Sequence, residues 1–492
     1  VSTTTDGVGH SVSAAHLRTL LRQRRRHRIS ATTRMGRIYE GLLYTVILGG
    51  LLVQLVWAAM DWSQSAETPA DPHGRAWLLA GITVTFLGLL FRVLADLGPL
   101  SASATSTHWI FSTPVDRGAL LRPRMLVSTA AAALVSLVPV SGAALSTQVA
   151  GADLLGMTLI GALIGVIGFG QAVTAQSIPR GPRLVRVLGS AVAAVGTLLA
   201  GGSGLATVLD LALPGLPALP WLAASIPVAV LALWSLRSAA RSVGLIDRTM
   251  LTDSAELTGT VRLSVGWMDT GLFADIMEAR RWRRRGTVVS HRLAAHGVPA
   301  LLRAELRRAL RRRSSIGWWA ALAAVPYVAA TMLPALWTMP VALVVGFFAV
   351  GRLSAGLRLT ARSGALRRML PFSDLTIRLT MLAAPAIGAL LWGAATAPAV
   401  EAVPWWSAAT AIALVGLAGV LRSAMRPPPD YNSGATLDPV MGAVPVYLIV
   451  QLIAGPDIVV ACTLLAIAGV GPLWSIGLAV LAIGWALFRD RR

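Results

Sequence analysis

The feature that most constrains this chain is the recurrence of apolar runs, each close to the length of a bilayer crossing and nearly free of charge. A helix needs about 20 apolar residues to span the hydrocarbon. Spans are expected at 41–60, 77–94, 125–147, 154–175, 187–205 and 221–236, and again at 316–336, 340–355, 379–395, 405–421, 440–454 and 473–488. That reading gives an all-α integral membrane protein of about twelve transmembrane helices. After each fifth span comes an apolar stretch broken by Gly and Pro, at 206–220 and 455–472, which reads as a short or re-entrant helix. Composition agrees. Only 13% of the 492 residues are charged, against about 25% in soluble domains. Too little polar surface remains for a water-facing globule, and a single cysteine, Cys462, excludes a disulfide scaffold.

Arginine placement sets the topology. The formal net charge is +21, and all 43 basic residues are arginine. Cytoplasmic loops of membrane proteins are enriched in basic residues. With the N-terminus inside, the outer loops carry one arginine, Arg75, but Asp61, Glu67, Asp71, Asp153, Asp210, Glu401 and Asp457. Trp57, Trp62, Trp77, Trp221, Trp337, Trp405, Trp406 and Trp474 gather at the proposed outer ends, as an interfacial belt would. The reading places both termini in the cytoplasm of a bacterium, with the chain in its plasma membrane. The first apolar run follows forty residues and a basic flank, so it reads as a retained signal anchor.

Several chemistries are disfavoured. Without lysine the chain cannot supply a Walker A loop or a Schiff base. No Asp, Glu or His sits mid-span, which disfavours a proton relay, and no span carries regularly spaced arginines like a voltage sensor. Neither HExxH, a paired CxxC nor GxSxG occurs; His291 and His296 read as a solvated pair. No catalytic residue, metal site or nucleic-acid module is nominated. Gly156, Gly161, Gly165, Gly168 and Gly170 in the fourth span read as close-packing positions.

The two halves echo one another. Before the first span, 16–28 sets Leu17, Leu20 and Leu21 among arginines including Arg22, Arg24, Arg25 and Arg26. Before the seventh, 301–313 sets Leu302, Leu306 and Leu310 among Arg307, Arg308, Arg311 and Arg312. Leucines three or four apart share one helical face. Both segments read as interfacial helices with arginines on anionic headgroups. After spans two and eight, the segments 92–117 and 352–374 each end in a Pro turn, at Pro114 and Pro371. The parts are then a basic N-terminus (1–40), a first six-span unit (41–236), a basic linker (237–315) and a second six-span unit (316–492), a parallel repeat. The linker holds sixteen arginines and an amphipathic stretch at 271–280.

This layout resembles ABC-2-type exporter permeases, as two six-span units fused in one chain of an actinobacterial group. The basic segment before the first span resembles their elbow helix, and Thr105–Arg117 looks like their coupling-helix loop. The resemblance implies coupling to an ATPase subunit through His108, Trp109, Pro114, Asp116 and Arg117, and through Leu370, Pro371 and Asp374 in the second half. The second loop departs from the first in lacking equivalents of Trp109 and Arg117. The implied function is export of an amphiphilic cargo (a peptide, lipid or antibiotic-like molecule). ATP and Mg would be held by a separate ATP-binding-cassette subunit, in two copies, with membrane lipid the other partner. The alternative is a polytopic enzyme or scaffold of the cell envelope.

Overall fold

The computed structural model describes residue 19 and residues 72–112, 116–146, 149, 151–214, 220–266, 282–283, 295–401, 403–426, 436–437, 444–445 and 455–488. The expected span at 41–60, the basic segment holding Arg22, Arg24, Arg25 and Arg26, Pro114, and the stretch 271–280 lie outside these residues. The protein is an all-α, multi-pass membrane protein. Among the described residues eight helices are long and apolar enough to cross a bilayer, and a bent pair makes a possible ninth crossing by the same measure. Two compact units divide the chain: Leu79–Gly196 with Gly215–Trp267 and Val1–Ala70, and Met268–Arg492 with Asp71–Leu78 and Thr197–Pro214.

The first unit holds the long apolar helices α3 (Arg117–Ser146), α4 (Gly151–Gln176) and α6 (Trp221–Ser242), with most of α1 (Pro72–Leu97) and of α5 (Gly181–Val208). Two further helices, α2 (Ala104–Trp109) and α7 (Arg248–Gly266), sit at their arginine-rich ends. Lipid tails give no hydrophobic drive for apolar helices to associate, so close approach at small residues must supply the packing. The α4 glycines do this toward three neighbours. Gly161 and Gly165 face Val140 and Ser136 of α3, Gly156 and Gly170 face Trp221 and Ser235 of α6, and Gly168 faces Leu90 of α1. Gly88 of α1 similarly meets the Ala193 backbone of α5. Where the start of α4 meets the start of α6, Asp153 Oδ1 accepts the Trp221 amide at 3.2 Å.

The second unit runs α8 (Gly297–Arg311), α9 (Arg313–Leu322), α10 (Ala324–Met332), α11 (Ala335–Gly351), α12 (Ala355–Arg362), α13 (Gly364–Met369), α14 (Asp374–Thr396), α15 (Trp405–Met425), α16 (Pro456–Ile467) and α17 (Pro472–Phe488). Its core is built from alanines of α15, with Ala408, Ala411 and Ala418 fully buried, and from Trp392, whose ring fills the space beside Gly346 and Ile412. The buried Trp392 donates its Nε1–H to the Trp319 carbonyl at 3.2 Å, and Trp319 donates to the Gly388 carbonyl at 3.2 Å. These bonds fix the middle of α14 against α9. A two-residue antiparallel pair, β1 (Thr436–Leu437) with β2 (Val444–Pro445), lies between α15 and α16.

Three expectations are corrected here. The eighth span ends at Gly351, where the chain bends by 66° into the separate helix α12. The sixth span's helix runs past its expected end at 236: α6 continues to Ser242, and α7 follows it. Third, Asp457 was expected on the opposite side from Arg422. It instead receives the Arg422 guanidinium in a two-pronged ion pair, with Nε 3.3 Å from Oδ1 and Nη2 on Oδ2. Gly455 packs against Ser423 and Gly419 at the same end of α15. The stretch after 455 thus begins at the arginine-rich end, and α16 runs away from it beside α11. Of the expected span at 440–454 only 444–445 lie among the described residues, and the helix that packs beside α15 starts at Pro456.

The glycine contacts give a direct test. A Cβ at Gly165 would collide with Ser136 Oγ and the Ala132 carbonyl, while nothing lies within 4 Å of one at Gly142. Gly165→Ala should lower stability by about 1–3 kcal/mol. Gly142→Ala should be neutral or slightly stabilising, since alanine is the better helix former. Melting of the two variants in the same detergent separates them.

Candidate functional site at the arginine-rich ends

In the first unit the expected site residues lie on one short excursion. Ser103 caps α2, its Oγ accepting the Ser106 amide at 3.2 Å. Such a cap replaces a partner that the first turn of a helix lacks. The helix ends after six residues at Trp109, which is 71% exposed and meets the His108 ring edge-on at 5.3 Å. Two residues on, Phe111 turns inward and is buried with Leu121, Met125 and Leu251. Asp116 Oδ1 accepts the Ala119 amide at 3.1 Å and so caps α3, of which Arg117 is the first residue. His108 and Trp109 are therefore presented outward, while Asp116 does structural work at a helix start.

Gln176, missed by the sequence reading, anchors that excursion. Its buried amide donates to the Leu100 carbonyl at 2.9 Å and to Ser254 Oγ at 3.1 Å, and accepts the Leu100 amide at 3.3 Å. The Ala102 amide also donates to the Leu251 carbonyl at 3.1 Å, tying the loop to α7. Its signal in the sequence was weak, since Gln171 stands in the same largely apolar run.

The second unit repeats the local design. Ser363 Oγ accepts the Leu366 amide at 3.2 Å and caps α13, which also has six residues and ends at Met369, 82% exposed. The chain turns at Leu370 and Pro371, Leu370 and Phe372 pack inward, and Ser373 caps α14 by accepting the Thr376 amide at 3.2 Å. Asp374 lies 3.4 Å from Arg367 and 4.0 Å from Arg378. Arg378 is buried and donates to the Leu487 carbonyl at 2.8 Å, at the negative end of the α17 dipole. The outward apolar side chain is therefore Met369, whereas Leu370, the expected contact, turns toward the core.

The basic helix α8 differs from its sequence reading. Of the expected leucine face, Leu302 and Leu306 are half-buried and Leu310 is 67% exposed, and the residue most deeply buried is Glu305, at 1%. Arg307 and Arg311 are exposed, as an interfacial role needs. Arg308 and Arg312 instead serve Glu305: Arg308 Nη1 is 2.8 Å from Oε2, and Arg312 adds a second positive charge. A carboxylate taken out of water requires such compensation. The Glu305 carboxylate also accepts the Gly356 amide in the first turn of α12, and packs so closely on Gly356 that a Cβ would overlap it. Burial pushes the Glu305 carboxyl above the ordinary carboxylate range, against the opposing pull of Arg308, Arg312 and the Gly356 amide. Nearby, the Arg352 guanidinium stands 5.6 Å over the Trp318 ring. One carboxylate thus latches α8 to α12, the helix leading into α13.

Two outcomes follow from the latch. Glu305→Ala and Gly356→Ala should each destabilise the chain by about 1–3 kcal/mol. The double variant should show coupling of about 0.5–3 kcal/mol, because removing the carboxylate makes room for the methyl. Because the folded state binds the Glu305 proton more tightly than the unfolded chain, this residue's stabilising contribution is full at pH below the ordinary glutamate value. It falls as pH rises to the elevated value and is flat beyond. The difference in melting temperature between wild type and Glu305→Gln should change in that window only.

No curated protein and no solved structure matches this chain. One family model matches residues 68–434, which carry α1 through α15 and both capped excursions. That match takes in well over half of the sequence, so the chain belongs to DUF6297, a family of unknown function.

Proposed function

We propose that this chain is the membrane-spanning permease subunit of an ATP-binding-cassette exporter, of the ABC-2 type. In this reading two six-span units are fused, both termini are cytoplasmic in a bacterial plasma membrane, and the arginine-rich ends face the cytoplasm. A separate ATPase subunit, in two copies, holds ATP and Mg. The observation that carries the proposal is the pair of excursions at 104–109 and 364–369. Each is a serine-capped helix of six residues that ends in a large exposed apolar side chain, Trp109 or Met369. Each returns through a capped turn into a long proline-containing helix. An isolated helix this short has no stability of its own. Holding one in water with its apolar tip outward makes sense as a docking element, because burial in a partner's cleft recovers that apolar area.

Force applied at either tip has a rigid path into the bundle. In the first unit it reaches α4 through Gln176 and α7 through Ala102. In the second it reaches α14 through the Ser373 cap and α17 through Arg378. ATP-driven closure of the ATPase pair would thereby rock the long helices and move an amphiphilic cargo. In this reading ATP hydrolysis belongs to the partner, which agrees with a sequence that has no lysine for a Walker A loop.

The test is copurification in mild detergent. The tagged chain should bring down an ATP-binding-cassette ATPase, and Trp109→Ala with Met369→Ala should cut its recovery about tenfold, a loss of about 1.4 kcal/mol. The melting temperature of the double variant should stay at the wild-type value. A chain that retains no ATPase, or retains it equally in the double variant, sinks this reading and favours the envelope enzyme or scaffold.

A further inference from the structure

A cavity of about 390 Å³ opens beside the arginine-rich end of α6, lined by Trp234, Arg237, Ser238, Arg241, Ser242 and Leu245. These positions recur every three or four residues and form one stripe along the helix and the turn that follows it. Arg237 and Arg241 are exposed and stand one turn apart, where like charges repel. Neither forms an ion pair with any described acidic residue. By contrast Arg186, Arg308, Arg378 and Arg422 all reach carboxylates. An anion between the two guanidinium groups removes the repulsion and meets their forked donors.

The surroundings say what kind of anion. Toward the middle of α6 the stripe continues as Ile226, Val230 and Trp234, spaced four apart and 65%, 63% and 61% exposed. Beyond the arginines, Leu245 is 73% exposed. The helix therefore presents an apolar track ending in an indole, and then paired guanidinium groups with Ser238 between them. Ser238 Oγ, within 3.3 Å of Thr174 Oγ1, is held in place against α4. An inorganic ion uses only the cationic part of this surface. A molecule with an acyl chain and a phosphate uses all of it.

We propose that this face of α6 is a binding site for an anionic phospholipid, its phosphate between Arg237 and Arg241 and an acyl chain along Val230 and Ile226. The site is independent of the docking excursions, so it stands or falls apart from the exporter reading.

Native mass spectrometry of the full chain, delipidated and titrated with phosphatidylglycerol or phosphatidylcholine, tests it. Wild type should bind phosphatidylglycerol about tenfold more tightly than phosphatidylcholine at one site. Arg237→Gln with Arg241→Gln should abolish that preference, while Arg122→Gln with Arg124→Gln, exposed arginines of α3, should keep it. Val230→Ser, which leaves both guanidinium groups in place, should weaken phosphatidylglycerol binding severalfold with the melting temperature unchanged. Equal loss in the two arginine pairs would mean generic surface charge and overturn the site. So would a Val230→Ser variant that binds as wild type, or displacement of the lipid by millimolar inorganic phosphate, which would make a free anion the ligand.

Discussion

In the hydrocarbon of a bilayer no water is present to satisfy a peptide N–H or C=O, and no hydrophobic effect pulls one apolar helix onto another. The first condition makes every crossing a helix. The second makes contact between helices depend on how closely their backbones can come. In the first unit α4 meets that demand with glycines toward α1, α3 and α6, and in the second α15 meets it with buried alanines around Trp392. The tryptophan gives its one N–H to a backbone carbonyl, so even the largest core side chain leaves no donor stranded.

At the arginine-rich ends water returns and the physics changes. Helix starts there are capped by Ser103, Asp116, Ser363 and Ser373. Buried polar groups work as ties: Gln176 between a loop and α7, Arg378 between α14 and α17, Glu305 between α8 and α12. Each tie joins elements that meet at the bundle's arginine-rich end. That is the arrangement needed for an event at the surface to reach the spans. It also explains why the arginines divide into two populations. Arg307 and Arg311 face outward, whereas Arg308, Arg378 and Arg422 are spent on carboxylates and carbonyls.

The apolar runs, their arginine-biased ends and the proline turns before two of the spans were legible in one dimension, because span length, charge asymmetry and turn chemistry depend on residues close in sequence. The sequence by itself determined an all-helical membrane protein, placed a span on each of the eight long apolar helices among the described residues, and marked both short excursions. Tertiary structure decided which residues serve those excursions. Leucine spacing in α8 pointed to an apolar face, yet the buried residue is Glu305, since its value depends on Gly356, about fifty residues away. Likewise Asp457 reads as an outer-loop carboxylate, but its ion pair with Arg422 sets the start of α16 at the arginine-rich end of α15. Hydropathy reports a residue's own transfer energy, whereas ion pairs, close glycine contacts and the choice of Met369 over Leu370 at the exposed tip depend on partners that only the folded chain brings near.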